Sequence, residues 1–170
     1  MAEKQTVKIS LRPLALPAVS PQDLVFLRQV YASTRVDELA LTDWPAAQKE
    51  AFIDQQFSAQ HQYYLAQYPG AVFYAIEVNG QPAGRLYLHR RLDEIRIMDI
   101  TLLPDFRAQG AGTRLMQDIQ TEGQRTGRKV TIHVERFNPA RHLYERLNFQ
   151  LLEDRGVYLF LGWQPLYKEP

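Results

Sequence analysis

The chain contains no cysteine among its 170 residues. It therefore has no disulfide, no thiol nucleophile and no thiolate metal site. Long apolar runs are absent as well, since no stretch approaches the ~20 residues that a helix needs to cross a bilayer. The N-terminal segment MAEKQTVKIS lacks the apolar core of a secretion signal. We therefore expect a cytoplasmic protein without a membrane partner.

An excess of charge of either sign is also missing. Twenty basic and 19 acidic residues give a net charge of +1, so the chain has no electrostatic footprint for nucleic acid or for an anionic membrane. Its four histidines lack the spacing of metal ligands, and we predict no metal site. The hydrophobic content of 45% and the charged content of 23% are those of an ordinary soluble protein. The length predicts a single domain over residues 1–170.

Hydrophobic periodicity divides the first half of the chain into short elements. Val7–Leu14 alternates apolar and polar residues and predicts a strand. A first helix is predicted to begin at Ser20-Pro21, with Ser20 as its cap. The residues Ser33–Asp43 form a polar connector to a second helix after Trp44-Pro45. The predicted buried stripe of this second helix consists of Ile53, Phe57 and Tyr64.

The second half contains the clearer turn signals. Asn79-Gly80 between two apolar runs predicts a hairpin, and Glu94–Leu102 adds a further strand. A glycine turn, a helix to about Gly123, a strand at Lys129–Val134, a short helix near Asn138-Pro139 and two final strands complete the chain. The order β, α, α, β, β, β, α, β, α, β, β predicts a mixed α/β or α+β sheet with helices on its faces and one βαβ crossover.

The most informative segment is residues 104–114, PDFRAQGAGTR, at a strand-to-helix turn. Glycine has no Cβ, so the backbone can approach a ligand closely there. The first amides of the following helix lack intrahelical acceptors, and such donors favour phosphate. We therefore predict that a phosphate-bearing ligand lies between Leu102 and Thr113.

The sequence of this turn allows three other interpretations. A Walker A loop needs four residues between its glycines and then Gly-Lys-Ser/Thr, a pattern that Gly110 and Gly112 do not follow. A Rossmann turn needs a third glycine where the chain has Leu115, although the acidic Glu135 at the end of the next strand keeps that interpretation open. In the third interpretation, the glycines serve only a tight turn and close packing, and no ligand is bound there.

Two segments resemble the GNAT acetyltransferase superfamily. IMDITLLPDFRAQGAGTRLM is similar to its acyl-CoA-binding motif, in which Arg107, Gly110 and Gly112 match the Arg/Gln-x-x-Gly-x-Gly/Ala signature. NPARHLYERLNF, residues 138–149, is similar to a second family segment. It departs at Asn148, where glycine is usual, and asparagine is the next-best residue for a left-handed helix end.

The resemblance implies a fold and a donor. The fold is a mostly antiparallel central sheet of about six to seven strands flanked by about four helices, with one parallel βαβ crossover. The donor is acetyl-CoA, with coenzyme A (CoA) as product and no metal. The implied reaction is direct transfer of the acyl group from the thioester to a primary amine. Two alternatives are a non-catalytic CoA-binding or interaction module with this fold and, more remotely, an NAD(P)-binding oxidoreductase.

The resemblance also implies which residues hold CoA. Backbone groups of Ile100 and Leu102 pair with the pantetheine arm, and amides from Ala108 to Thr113 bind the pyrophosphate. Arg107 either contacts phosphate or orients the loop, and Arg114 or Arg141 reaches the adenosine phosphate. The complete predicted set is Ile100, Thr101, Leu102, Arg107, Ala108, Gln109, Gly110, Ala111, Gly112, Thr113, Asn138 and Arg141.

Tyr144 stands where the family places the acid that protonates the CoA thiolate. A phenol has an ordinary pKa near 10 and stays protonated at neutral pH. Packing beside its helical neighbours is the structural alternative. The base that deprotonates the amine is less determined, with Glu94, Asp99 and His133 as candidates.

The acceptor is an unidentified amine of a small molecule or a peptide. Tyr31, Arg35 and Glu38 lie in the helix-connector region that commonly walls the acceptor pocket in this family, and a solvated connector is the structural alternative. Composition leaves the oligomeric state open, with a homodimer as one expectation.

Overall fold

The computed structural model describes residues 6–167. Residues 1–5, part of the N-terminal segment considered above for a secretion signal, lie outside the described residues, as do residues 168–170. Seven strands form one sheet in the order β1-β2-β3-β4-β5-β7-β6. The strands are β1 Ile9–Pro13, β2 Val72–Val78, β3 Gln81–Arg90, β4 Glu94–Leu102, β5 Lys129–Glu135, β6 Gln150–Arg155 and β7 Tyr158–Trp163.

Within residues 6–167, five α-helices and one short 3-10 helix connect these strands. The α-helices are α1 Pro21–Ser33, α2 Val36–Ala40, α3 Ala46–Gln67, α4 Ala111–Thr126 and α5 Arg141–Arg146, and the 3-10 helix covers Pro104–Phe106. β4 and β5 pair in parallel across α4, whereas the pairs β1–β2, β5–β7 and β6–β7 are antiparallel. The predicted mixed and mostly antiparallel sheet with one βαβ crossover is therefore confirmed.

Three local signals correctly predicted the backbone conformation at their positions. Ser20 caps α1 through its Oγ, which accepts a hydrogen bond from the Asp23 amide at 3.2 Å. Asn79 and Gly80 adopt φ values of +51° and +80°, as a two-residue hairpin turn requires. Asn148 has φ +63° beyond the end of α5. The left-handed conformation predicted for it is confirmed.

Several strand ends differ from the predictions by one or two residues, and three larger differences concern helices. The connector at residues 33–43 contains α2, a helix of five residues that is too short to show a hydrophobic period. The helix predicted near Asn138 begins at Arg141, because Asn138 forms a turn in which its Oδ1 accepts from the Ala140 amide at 2.9 Å. α4 continues past Gly123, where a Cβ would lie 2.8 Å from the Arg128 carbonyl oxygen. Gly123 therefore serves packing, and Gly127 ends the helix with φ +69°.

By its internal contacts the chain divides into two compact units. Unit 1 comprises the residues up to Leu86 together with Ile100–Arg107, and unit 2 comprises Tyr87–Asp99 together with the residues from Ala108 onward. The single domain over residues 1–170 stays a prediction. The core of unit 1 is formed by apolar side chains of α1, α3 and its strands, among them Leu27, Val30, Phe57, Phe73 and Ile76. In unit 2 the buried face of α4 packs on β5, with Leu115, Met116, Ile119, Val130 and Ile132 in the core.

Candidate functional site

The turn after β4 is held by a side chain of the motif. In unit 1, Leu103 leads into the 3-10 helix Pro104–Phe106. The Nε of Arg107 donates a hydrogen bond to the Leu102 carbonyl oxygen at 2.8 Å. Of the two roles considered for Arg107, this contact favours orientation of the loop over direct contact with phosphate.

In unit 2, the turn opens into the N-terminus of α4. Ala108 and Gly110 have φ values of +57° and +83°. Gly110 is the N-cap, it makes no side-chain cap, and the first turn contains no acidic residue. Arg114 makes the first intrahelical hydrogen bond, to the Gly110 carbonyl oxygen, so the amides of residues 111–113 have no acceptor within the helix. Bare amides at the positive end of the helix dipole suit a phosphate group.

Tyr144 lies on α5 in unit 2 and is 4% exposed. Its ring packs against Phe149 with ring centroids 5.9 Å apart, and its carbonyl oxygen accepts from the Phe149 amide at 3.0 Å. Burial, with a smaller contribution from Asp99, raises the pKa of Tyr144 well above its ordinary value. The phenol is therefore protonated throughout the neutral range, as a proton donor must be.

Glu94 is 6% exposed at the start of β4 in unit 2. Its Oε1 accepts from Thr131 and from Arg96, at 2.9 Å to Nη2, and its Oε2 accepts from Arg91 at 3.2 Å. Burial by itself raises the pKa of Glu94, but the hydrogen bonds from Thr131 and Arg96, together with the positive charges of Arg96 and Arg91, lower that pKa below its usual range. The carboxylate is ionised and both of its oxygens are engaged, which weakens it as a base.

The other two candidate bases differ in their surroundings. Asp99 is half-buried on β4 and close enough to Tyr144 to raise the pKa of the phenol. His133 stacks on Phe160 with centroids 4.6 Å apart, and its ring nitrogens lie 3.4 and 2.9 Å from guanidinium nitrogens of Arg96 and Arg155. Burial, followed by these two arginines, lowers the pKa of His133 and keeps the imidazole neutral.

The second motif segment is engaged with its own backbone. Asn138 accepts from the Ala140 amide, as described above, and Arg141 donates from Nη1 to the Arg136 carbonyl oxygen at 2.5 Å. Arg141 also lies 3.7 Å from Glu145. Binding of CoA by these two residues stays a prediction.

Tyr31, Arg35 and Glu38 come together in unit 1. Arg35 donates from Nε to the Tyr31 hydroxyl at 3.2 Å, and its Nη1 lies 3.4 Å from both carboxylate oxygens of Glu38. Sequence reasoning missed Arg85, which is 2% exposed and has its guanidinium carbon 5.8 Å from the Tyr31 ring centroid. The signal for it was an arginine inside the otherwise apolar strand segment AGRLYL.

Two further findings concern residues 6–167. In this part of the chain, no three His, Asp or Glu side chains come together in a group that could hold a metal ion. Nor does this part contain a helix that is long and apolar enough to cross a membrane.

Three solved structures show how widely the fold recurs. The PaiA N-acetyltransferase of Thermoplasma acidophilum, solved with coenzyme A, has a TM-score of 0.67 at 15% identity and covers 92% of this chain and 99% of its own. The Campylobacter jejuni N-acetyltransferase PseH, solved with acetyl coenzyme A, has a TM-score of 0.59 at 13% identity, with 92% and 99% covered. The ribosomal-protein-S18-alanine N-acetyltransferase of Escherichia coli has a TM-score of 0.58 at 18% identity, with 96% and 97% covered.

The comparison at the level of sequence families is more specific. No curated protein sequence matches the chain. The model of the acetyltransferase (GNAT) family matches residues 34–149, which is more than half of the chain and includes the α4 turn and Tyr144. The chain therefore belongs to the GNAT acetyltransferase family.

Proposed function

We propose that the protein is an N-acetyltransferase that moves the acetyl group of acetyl-CoA directly to a primary amine. The observation that carries this proposal is the N-terminus of α4, where Gly110 adopts φ +83° and no side chain caps the helix. Family membership supports the donor, as do CoA and acetyl-CoA in the solved structures of PaiA and PseH.

The residues at the turn fit the negative charge of CoA. A pyrophosphate accepts hydrogen bonds from backbone amides, and the uncapped first turn of α4 supplies such donors. A Cβ at Gly110 would meet nothing within 4 Å, so the space beside this glycine is open. Backbone groups of Ile100 and Leu102 are assigned to the pantetheine arm, and the side chain of Arg107 fixes this end of β4 through Leu102.

The transfer itself needs one proton donor and one proton acceptor. The amine nitrogen attacks the thioester carbonyl carbon, a C–N bond forms, and the C–S bond breaks with its electron pair on sulfur. Tyr144 gives its hydroxyl proton to that sulfur, and the proton lost by the amine returns to the tyrosinate through a base and water. The products are an N-acetyl amine and the thiol of CoA.

The base is assigned to Asp99 in preference to Glu94. Both oxygens of Glu94 accept hydrogen bonds from Thr131, Arg96 and Arg91, and a lowered pKa reduces the affinity of a carboxylate for the amine proton. Asp99 acts on Tyr144 electrostatically, which supports a position near the reacting atoms. We also propose that the protein is cytoplasmic and forms a homodimer.

Binding and turnover test the proposal separately. Acetyl-CoA should raise the melting temperature, because a ligand selective for the native state stabilises it, whereas NAD(P) should not. An unchanged melting temperature at millimolar CoA would contradict the donor site.

Turnover is measured as the release of free thiol with a panel of amines. Tyr144→Phe should lower kcat by about 100-fold with unchanged acetyl-CoA binding, and Tyr87→Phe removes the same hydroxyl from another buried tyrosine, 1% exposed, as the control. Binding without turnover of any amine would favour a non-catalytic module.

A further inference from the structure

In unit 1, two arginine side chains lie close to the same aromatic ring. The guanidinium carbons of Arg35 and Arg85 lie 5.3 and 5.8 Å from the centroid of the Tyr31 ring. Tyr31 itself is 3% exposed, and Arg85 donates from Nη2 to Gln60 at 2.8 Å. Tyr31, Arg35, Gln60 and Arg85 are called the arginine cluster below.

The charge of the arginine cluster acts on its surroundings. His61 stacks on Phe57 beside Tyr31. Burial, and after it the positive charge of Arg85, lowers the pKa of His61. Because a charge in a buried environment is weakly screened, it acts over a longer distance than it would in water. An anionic group entering this region would therefore meet a favourable potential.

Arg35 is the member of the cluster that can exchange its partner. Its side chain is 27% exposed, and its carboxylate partner Glu38 is 51% exposed at a distance of 3.4 Å. A pair of this kind, three residues apart on the surface, contributes little to stability. The guanidinium fork is suited to two parallel hydrogen bonds with a carboxylate. The carboxylate of a ligand can thus replace that of Glu38 at the same donors.

The backbone of β3 next to Arg85 lies against the stretch of β4 that is assigned to the donor. Arg85 follows Gly84 on β3, and a Cβ at Gly84 would lie 2.1 Å from the carbonyl oxygen of Thr101. The two strands therefore approach each other closely at this point, which requires glycine. Thr101 lies between Ile100 and Leu102, the residues assigned to the pantetheine arm, and all of them belong to unit 1.

We infer that the amine acceptor is a small molecule that carries a carboxylate, and that Arg35 binds this carboxylate on a site shaped by Tyr31 and Arg85. The inference rests on the proposed acetyl transfer. Glu38 holds Arg35 in place when no acceptor is bound, and it competes with the acceptor for the same guanidinium. Removal of Arg35 should therefore weaken the binding of an acidic acceptor, whereas removal of the Glu38 charge should strengthen it.

The test compares acceptors that differ only in charge. 4-Aminobutyrate is paired with 4-aminobutanamide, and glutamate with glutamine, because the remote carboxyl group hardly alters the amine. The acid should have a kcat/KM about tenfold or more above that of its amide, as expected for hydrogen bonds to a charged group. Arg35→Gln should abolish this preference, and Glu38→Gln should lower KM for the acid alone. Equal kcat/KM values within each pair, or a preference for spermidine, would overturn the inference.

Arg28→Gln is the matched control for Arg35→Gln. Its side chain is 28% exposed, close to the value for Arg35, and it pairs with Glu50 and Asp54 of α3 on the same unit. This variant should retain the preference for the acid. A purely structural role of Arg35 would change the acid and the amide equally, so it would not reproduce a charge-selective effect.

A binding measurement separates failure of this inference from failure of the proposed function. Calorimetry of 4-aminobutyrate in the presence of CoA is run on the unmodified chain and on Arg35→Gln. Binding that is lost in Arg35→Gln supports the carboxylate site even if no amine is acetylated, and the transfer reaction alone is then contradicted. Absence of binding to the unmodified chain, with acetyl-CoA still bound, overturns the carboxylate site.

Discussion

Arg107 holds the end of β4 by a hydrogen bond from its Nε to the Leu102 carbonyl oxygen at 2.8 Å. If this geometry is its role, Arg107→Lys and Arg107→Gln should weaken acetyl-CoA binding by a similar factor of about threefold to tenfold, because neither side chain restores the Nε–H donor. The dissociation constants are measured by calorimetry. Retention of full affinity by the lysine variant alone would instead indicate a charge contact with phosphate.

Gly110 and Gly127 lie at opposite ends of α4 and allow a matched comparison. Both have positive φ, +83° and +69°, and a Cβ at either position would meet nothing within 4 Å. Gly110→Ala and Gly127→Ala should each lower the free energy of unfolding by about 1 kcal/mol, the cost of a left-handed alanine. Only Gly110→Ala should also weaken acetyl-CoA binding, by about tenfold. Equal affinities in the two variants would argue against a ligand at this turn.

Glu94 should contribute more to stability than to the chemical step. Glu94→Gln removes the carboxylate that accepts from Arg96 and Thr131 in a site where Glu94 is 6% exposed. We expect the free energy of unfolding to fall by about 3 kcal/mol, because the guanidinium of Arg96, whose side chain is only 13% exposed, loses its counter-charge. Urea titration measures it, and Glu153→Gln, on the exposed Arg155 pair, is the control with little effect. A stable variant with a large loss of kcat would restore Glu94 as the base.

Two histidines should make stability depend on pH in the mildly acidic range. The pKa of His61 and that of His133 are lowered from the usual 6.5, in both cases first by burial and then by neighbouring arginines. Around and below pH 6.5 these two imidazoles therefore bind more protons in the unfolded chain than in the folded chain. The free energy of unfolding consequently falls as the pH falls. Since both rings are partly exposed, we expect about 0.5 kcal/mol for each between pH 7.5 and 5.5.

The measurement is urea unfolding at pH 7.5 and at pH 5.5, where glutamates with an ordinary pKa of about 4.3 are still ionised. His61→Gln and His133→Gln should each reduce the difference between the two pH values. His142→Gln is the control, since that side chain is 78% exposed. An undiminished difference in both test variants would mean that other groups cause it.

Local turn chemistry made several features predictable. Asn79-Gly80, Ser20-Pro21 and Asn148 each encode their conformation within a few residues, and the structure reproduces all three. The turn before α4 could also be predicted, because its glycine spacing and the helical period that follows lie in one continuous stretch of sequence. The helix α2 was not predicted, because its five residues form little more than one turn and cannot show a hydrophobic period. The predicted end of α4 at Gly123 is wrong, because this glycine serves packing against Arg128 and Trp163, which contact it only in the folded chain.

By itself the sequence determined the element order, the uncapped start of α4 and the family motifs, because these depend on residues close together in the chain. Tertiary structure decided the burial, the hydrogen bonds and the electrostatic surroundings of the side chains. The burial of Tyr144 and the hydrogen bond from Thr131 to Glu94 follow from strands and helices that meet only on folding. The same holds for Arg85 beside Tyr31, 54 positions away in a chain whose hydrophobic pattern does not encode that contact. Electrostatics depends on distance in space and on exclusion of water, and neither can be read from spacing along the chain.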